Sequence, residues 1–272
     1  MTAKPARVLI VAGSDSGGGA GIQADIKTVT ALGGYAMTAV TAITVQDTTG
    51  VHGVHAVPVA TIRDQILRVL DDIGTDAIKT GMLSSAEVVD MLAETLRAPA
   101  REIPVVVDSV MIAKGGARLL DDDAIAVIKK KLLPLATVVT PNAPEAAALT
   151  GHKVESPDDL VAAGKALLAL GAHAAFVKGG HLKGDTITDA LVTKDGVELF
   201  RSARIQTTST HGTGCTLASA IATSLAQGFT LEDAVIRARA FVQAAIRSAP
   251  GFGHGNGPLN HMHAIPPYVQ KN

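Results

Sequence analysis

Short apolar runs recur along the chain at 7–13 (RVLIVAG), 39–45 (AVTAITV), 76–82 (DAIKTGM), 103–110 (IPVVVDSV), 136–142 (ATVVTPN) and 174–180 (AAFVKGG). Each is rich in β-branched or small residues and closes on Gly, Asp, Asn or Lys. Near-continuous apolar runs of this length predict strands buried on both faces. Between them lie segments with apolar residues at helical spacing: 22–32, 61–72, 86–96, 122–133, 157–170 and 231–246. Strands alternating with helices predict a parallel sheet covered by helices on both sides. Two stretches break the rhythm. Residues 51–58 (VHGVHAVP) read as a short extra strand, and 186–201 as a hairpin turning at Asp195-Gly196. No linker or repeat divides the chain, so one domain over 1–272 is expected. Its Gly-, His- and Pro-rich end, about 251–272, reads as loop or tail. His254, His261 and His263 there read as solvated tail histidines ahead of metal ligands.

Composition narrows the function classes. Of 272 residues, 47% are hydrophobic, enough for a sizeable core. Aromatic residues are only 3% and Trp is absent, which leaves little surface for stacking nucleic-acid bases. A net charge of -1 argues against a polyanion binder. The single cysteine, Cys215, excludes an internal disulfide and fits a reducing compartment. The apolar run at 8–12 is too short for a signal peptide, and no run reaches the ~18 residues of a membrane helix. A soluble cytoplasmic protein, with neither nucleic acid nor membrane as partner, is expected.

In open parallel sheets, ligands bind beyond the carboxyl ends of the strands. The first run opens into AGSDSGGGAGIQAD (12–25), a loop whose glycines let backbone approach a ligand. Gly19, Gly21 and Ala24, with Asp47 further on, imitate a dinucleotide fingerprint. They begin seven residues after the strand end at Ala12, where such a turn should start at once, so the match reads as a decoy. The second run ends at Gln46, whose amide either bonds loop backbone or offers a donor and an acceptor side by side, as an aminopyrimidine edge requires. Met82 follows a glycine and can lid a ring. Asp108 closes the fourth run. Asn142 and Glu145 share a helix start, where they can cap the helix or hold Mg²⁺ through water. Lys178 closes the sixth run and can neutralise a phosphate. Last comes HGTGCTLASAIATSL (211–225). Gly212 and Gly214 can turn backbone N–H groups into an anion nest at a helix start, with Cys215 inside it.

Together these pieces resemble the ribokinase-like kinases, and within them the hydroxymethylpyrimidine/phosphomethylpyrimidine kinases of thiamine biosynthesis. The carrying residues are 12–27, TAITVQDTTGV (41–51), KTGML (79–83), VVDSVM (106–111), TPNAPEA (140–146), VKGGH (177–181) and STHGTGCTLASAIA (209–222). The resemblance implies a three-layer α/β/α sandwich with a mostly parallel sheet, commonly a homodimer. It implies that MgATP phosphorylates 4-amino-5-hydroxymethyl-2-methylpyrimidine to its monophosphate and then to its diphosphate. It places Gly13, Ala20, Asp25, Gln46, Met82 and Val107 at the pyrimidine. It places Asn142, Lys178, Thr210 and Thr213 at ATP, and Asp108, Glu145 and Asn142 around Mg²⁺. Gly212, Thr213, Gly214, Lys178 and Cys215 surround the transferring phosphoryl group.

Cys215 stands where sugar kinases of the superfamily carry an Asp base. A helix N-terminus can lower a thiol's pKa, so a thiolate acting as base, or as positioner of the substrate hydroxyl, is expected. One departure is visible: Ser109 stands where the family usually has proline, which bears on the stiffness of that loop. The alternative within the fold is pyridoxal kinase. Some of those enzymes use a second cysteine in a lid, and the lid expected here, 181–189, has none. A non-catalytic sensor would not need the set Asn142, Glu145, Lys178 and Gly212 to Cys215.

Overall fold

The computed structural model describes residues 4–111, 120 and 122–266. The chain forms nine strands and eight α-helices among these: β1 (Arg7–Asp15), α1 (Gly21–Ala31), β2 (Tyr35–Gln46), β3 (Val51–Ala56), α2 (Val59–Asp72), β4 (Ala77–Thr80), α3 (Ala86–Leu96), β5 (Val105–Val107), α4 (Asp122–Val127), β6 (Val138–Val139), α5 (Ala143–Thr150), α6 (Pro157–Ala169), β7 (Ala174–Val177), β8 (Thr186–Thr193), β9 (Gly196–Ala203), α7 (Thr213–Ala226) and α8 (Leu231–Arg247).

One sheet carries all nine strands in the order β3-β2-β1-β4-β5-β6-β7-β8-β9. The six strands from β2 to β7 run parallel. β3 at one edge and the β8–β9 hairpin at the other run antiparallel. Period-two alternation explains the three layers. Leu9 and Val11 face one core, packed with Ile62 and Ile66 of α2, Leu92 of α3 and Leu160 of α6. Val8, Ile10 and Ala12 face the other, packed with Val29 of α1, Ile221 of α7 and Val235 of α8. The ribokinase-like sandwich expected from the sequence is the fold.

Three expectations need correction. The helix expected over 122–133 is α-helical only to Val127, widens into a π-turn over Ile128–Leu132, and ends in a tight turn holding Pro134, which has no N–H to continue it. The segment 181–189 is only half a loop. Thr186 to Asp189 already belong to β8, and Asp189 accepts from Gly179 N (2.9 Å) and Arg239 Nε (2.9 Å). The guanidinium of Arg204 holds the remaining turn through Gly180 O (2.9 Å), Leu182 O (2.5 Å) and Gly184 O (2.7 Å).

The C-terminal segment is not a free tail as far as it is described. Asn256 N–H donates to Thr48 O (2.7 Å), and His211 N–H donates to Gly257 O (3.1 Å). His261 is 4% exposed and pairs with Thr216 Oγ1 at 2.8 Å. Its burial, with Lys27 nearby, pushes its pKa down to about 4, so it is not a solvated histidine. His263 Nδ1 lies 2.8 Å from Asn260 O, and His254 is exposed. Residues 267–272 lie outside the described residues.

Candidate active site

The carboxyl ends of β1, β4, β5, β6 and β7 open onto one cavity of about 620 Å³. This is where a parallel sheet predicts its ligand. Gly13, Ala20, Gln46, Met82, Asp108, Asn142, Glu145, Lys178, Thr210, Gly212, Thr213, Gly214 and Cys215 all line it. Asp25 and Val107 do not. Val107 points into the core beneath the sheet and is 1% exposed. Asp25 is fully buried in α1, bonded to Lys79 Nζ through both oxygens (2.9 Å each) and to Ser219 Oγ (2.7 Å). Its carboxylate serves a buried ion pair behind the cavity.

At one end of the cavity, the Met82 sulfur lies over Gly13, where an added Cβ would meet it at 3.2 Å. Gln46 ends β2, and its backbone is fixed by reciprocal bonds with Ser16 Oγ (2.7 and 2.8 Å). Its side-chain amide lies between Thr44 Oγ1 (3.1 Å) and His211 Nε2 (3.3 Å).

At the other end of the cavity, Asn142 and Glu145 form a capping box. Glu145 N–H donates to Asn142 Oδ1 (2.9 Å) and Asn142 N–H donates to Glu145 Oε2 (2.8 Å). The capping alternative left open by the sequence is thus made, and the cap fixes Glu145 at the cavity wall. Burial raises the Glu145 pKa to about 7 against the pull of Lys178. Ser109 O–H reaches Glu145 Oε2 at 3.5 Å, a donor that a proline could not supply. Lys178 Nζ bonds Asp108 Oδ1 at 3.2 Å. Although burial opposes its charge, Asp108 and Glu145 hold its pKa above the usual range. Asp108 Oδ2 is buried with no hydrogen-bond partner among the described residues. A Cβ on residue 214 would stand 3.3 Å from Lys178 Nζ and 3.7 Å from that oxygen, so glycine keeps the approach open. Among the described residues no three His, Cys, Asp or Glu side chains gather as a metal cluster. An orphaned carboxylate oxygen beside a second carboxylate fits a hard divalent cation that keeps water and phosphate oxygens as its other ligands.

Cys215 occupies the first turn of α7, whose start has no side-chain cap, so early N–H groups of that turn are left for a ligand. The expected thiolate is corrected. Burial, then the nearby carboxylates of Asp25 and Asp108, push the thiol up to about 12, outweighing the opposing pull of Lys79 and of Gly21 N–H. The side chain is half-buried at the cavity wall, and in the ligand-free protein it is a neutral thiol.

Sequence reasoning gave no role to three groups in or beside this cavity. Lys79 is fully buried, and although burial opposes its charge, Asp25 raises its pKa. Asp15 accepts from Gly17 N (2.8 Å), Gly19 N (3.0 Å) and Ala20 N (2.8 Å), ordering the glycine loop. His211 Nε2 lies 2.9 Å from Asp15 Oδ2. A lysine inside an apolar strand run was the available signal for the first. An aspartate with glycines two and four residues later, in the pattern of a side-chain-closed turn, was the signal for the second.

Known proteins resemble the chain over most of its length. The phosphomethylpyrimidine kinase family model matches residues 15–260. The chain is 51% identical over 255 residues to the thiamine biosynthesis bifunctional protein ThiED of Geobacter sulfurreducens, covering 94% of this chain and 52% of that one. It thus spans about half the length of that relative. It is 48% identical to the hydroxymethylpyrimidine/phosphomethylpyrimidine kinase of Streptomyces coelicolor, covering 96% of each. The crystal structure of Bacillus subtilis pyridoxal kinase with ADP superposes with a TM-score of 0.89 at 38% identity, covering 96% of this chain and 98% of that one. Matched by that family's model over residues 15–260 and 48% identical to one of these kinases over nearly its whole length, the chain belongs to the phosphomethylpyrimidine kinase family.

Proposed function

We propose that the protein transfers the γ-phosphoryl group of MgATP to the hydroxymethyl group of 4-amino-5-hydroxymethyl-2-methylpyrimidine, and then to the resulting monophosphate, as a step of thiamine biosynthesis. The observation that carries this reading is one cavity with two chemically different ends. Gln46 and Met82 offer an amide edge and an apolar lid to a flat ring. Lys178, Asp108, Glu145 and the uncapped start of α7 offer charge and N–H groups to phosphates.

In the transfer, the substrate hydroxyl oxygen bonds to the γ-phosphorus as the bond to the ADP oxygen breaks. Little covalent chemistry is asked of the protein, and alignment and charge stabilisation dominate. Lys178 and the N–H groups of the Gly212-Thr213-Gly214 turn neutralise charge on the phosphoryl oxygens. Asn142, Thr210 and Thr213 line the ATP side. Asp108 and Glu145, with Asn142 fixing Glu145, would hold Mg²⁺, which when bound would supply neutralisation of phosphate charge. Cys215 orients the hydroxyl in line. Burial raises the thiol pKa and so favours Cys215 as a positioner over a base, and the proton leaves late and passes to a phosphoryl oxygen.

The likeness to a pyridoxal kinase supports a second reading, pyridoxal phosphorylation. ADP release measured separately with the pyrimidine alcohol, its monophosphate and pyridoxal decides between them. Turnover only with pyridoxal would reject the pyrimidine reading. Ile43 and Val45 are 51% and 64% exposed on β2, beside the edge strand β3, which supports a homodimer through the β2–β3 ribbon, testable by light scattering. No helix among the described residues is long and apolar enough to cross a membrane, in keeping with a cytoplasmic enzyme.

A further inference from the structure

The Gln46 amide sits in a chain of contacts whose polarity can be worked out from the donors available. Asp15 is 2% exposed. Burial alone would raise its pKa, but the bond to His211 and the N–H groups of Ala20 and Gly17 hold it below the usual carboxylate value. An ionised carboxylate only accepts. The hydrogen in the 2.9 Å contact between Asp15 Oδ2 and His211 Nε2 therefore sits on the imidazole. A ring nitrogen that carries its hydrogen cannot accept one, yet the Gln46 amide nitrogen lies 3.3 Å from the same Nε2.

The other end of the amide meets a matching conflict. Thr44 Oγ1 lies 3.1 Å from Gln46 Oε1 and 2.9 Å from Ser14 O, and it has a single hydrogen for these two acceptors. A half-turn of the amide removes both conflicts together. The amide oxygen then shares, in a three-centre bond, the Nε2–H that His211 donates to Asp15, and the amide nitrogen donates to Thr44 Oγ1. Amide nitrogen and oxygen are distinguished by this kind of network.

The imidazole is in no position to relax the constraint. His211 is 6% exposed and wedged between two backbones. A Cβ on Gly19 would meet its Cδ2 at 2.5 Å, and its own N–H is tied to Gly257 O.

We propose that Asp15 and His211 are positioning residues that fix which way the Gln46 amide faces, and so make the pocket select an amino edge of the heterocycle over an oxo edge. After its bonds to His211 and Thr44, the amide keeps one N–H and one oxygen lone pair for a ligand, in a fixed order. A 4-aminopyrimidine presents an amino donor beside a ring-nitrogen acceptor. The 4-oxo analogue presents the reverse order, an oxygen acceptor beside a ring N–H. One amide orientation complements one of the two, and the mismatch places like groups against each other. The inference rests on the pyrimidine reading above and deepens it.

The test compares kcat/KM for 4-amino-5-hydroxymethyl-2-methylpyrimidine and its 4-oxo counterpart in the wild-type protein, His211→Leu, which has no donor, and His211→Gln, which keeps one. Thermal melting checks that both variants fold. The amino-to-oxo ratio is expected to fall by at least about tenfold in His211→Leu and to stay nearer wild type in His211→Gln. A ratio unchanged in His211→Leu, even with both rates lowered, overturns the proposal, because a merely structural role moves both substrates alike. If His211→Leu does not fold, nitrogen-15 spectra of the wild-type imidazole decide. Hydrogen on Nε2 is expected, and hydrogen on Nδ1 alone overturns the proposal. A wild-type protein inactive on both pyrimidines would reject the functional reading and leave the spectroscopic test standing.

Discussion

Lys79 Nζ lies 2.9 Å from each carboxylate oxygen of Asp25, and neither side chain is exposed. Ser219 Oγ donates to the same carboxylate from α7, so the pair ties α1, β4 and the helix that carries Cys215. Removing one charge leaves the other buried and unpaired. Lys79→Met is expected to cost about 3–5 kcal/mol in urea unfolding, and the double change Asp25→Leu with Lys79→Met to cost less than either single change. Equal or additive losses would remove the pair from the account.

Cys215 should behave as a reluctant thiol. With its pKa pushed up to about 12 by burial first and then by Asp25 and Asp108, alkylation by iodoacetamide in the ligand-free protein rises with pH up to and beyond 10. A plateau near 8.5 would contradict the assigned environment. If the thiol orients the hydroxyl, Cys215→Ala lowers kcat by about 10²-fold with a smaller change in pyrimidine KM, and Cys215→Ser recovers part of the loss.

Gly212 is held by shape. Its φ is +81°, and a Cβ there would stand 1.8 Å from Gly19 O, in the glycine loop that follows β1. The two glycine loops touch backbone to backbone only because this position has no side chain. Gly212→Ala is therefore expected to destabilise by a few kcal/mol and abolish turnover, measured by melting temperature and ADP release. Wild-type melting with normal turnover would contradict the packing.

Acid stability tests the docking of the C-terminal segment. His261 has a folded pKa of about 4 against an ordinary 6.5, lowered first by burial. The unfolded chain then binds a proton between those values that the folded chain does not. Its contribution is complete above pH 6.5 and is lost as pH falls towards 4, by up to roughly 3 kcal/mol. Glu145, raised from 4.5 to about 7, acts in the opposite sense across much of the same window. His261→Gln should therefore make stability fall more steeply as pH rises from 4.5 to 7. No difference in slope between variant and wild type would mean that His261 is not buried in solution.

Much of the fold was legible because burial on both faces leaves a plain record. VLIVA in β1 divides between two cores by alternation, and α3 follows from Val88, Val89, Leu92 and Leu96 on one side. The π-turn after α4 and the folded C-terminal segment were not legible. The first depends on how packing accommodates Pro134. The second depends on hydrogen bonds accepted by Thr48 and on the contact of His261 with Thr216, both far away in sequence. At the site, strand ends picked out Gln46, Asp108 and Lys178. Asp25 was misplaced because an acidic residue near a glycine loop does not reveal that a buried lysine from another strand will claim it. The thiolate expectation counted the helix start and omitted desolvation, which dominates for a half-buried thiol beside two carboxylates.

The central claim is that one cavity performs two successive transfers to a pyrimidine. Phosphorus-31 spectra of the protein with MgATP and 4-amino-5-hydroxymethyl-2-methylpyrimidine follow this directly. The predicted record shows a monophosphate ester resonance that grows and then gives way to a diphosphate, as ADP accumulates. Absence of any pyrimidine phosphate, with pyridoxal converted to its 5′-phosphate by the same sample, would contradict it.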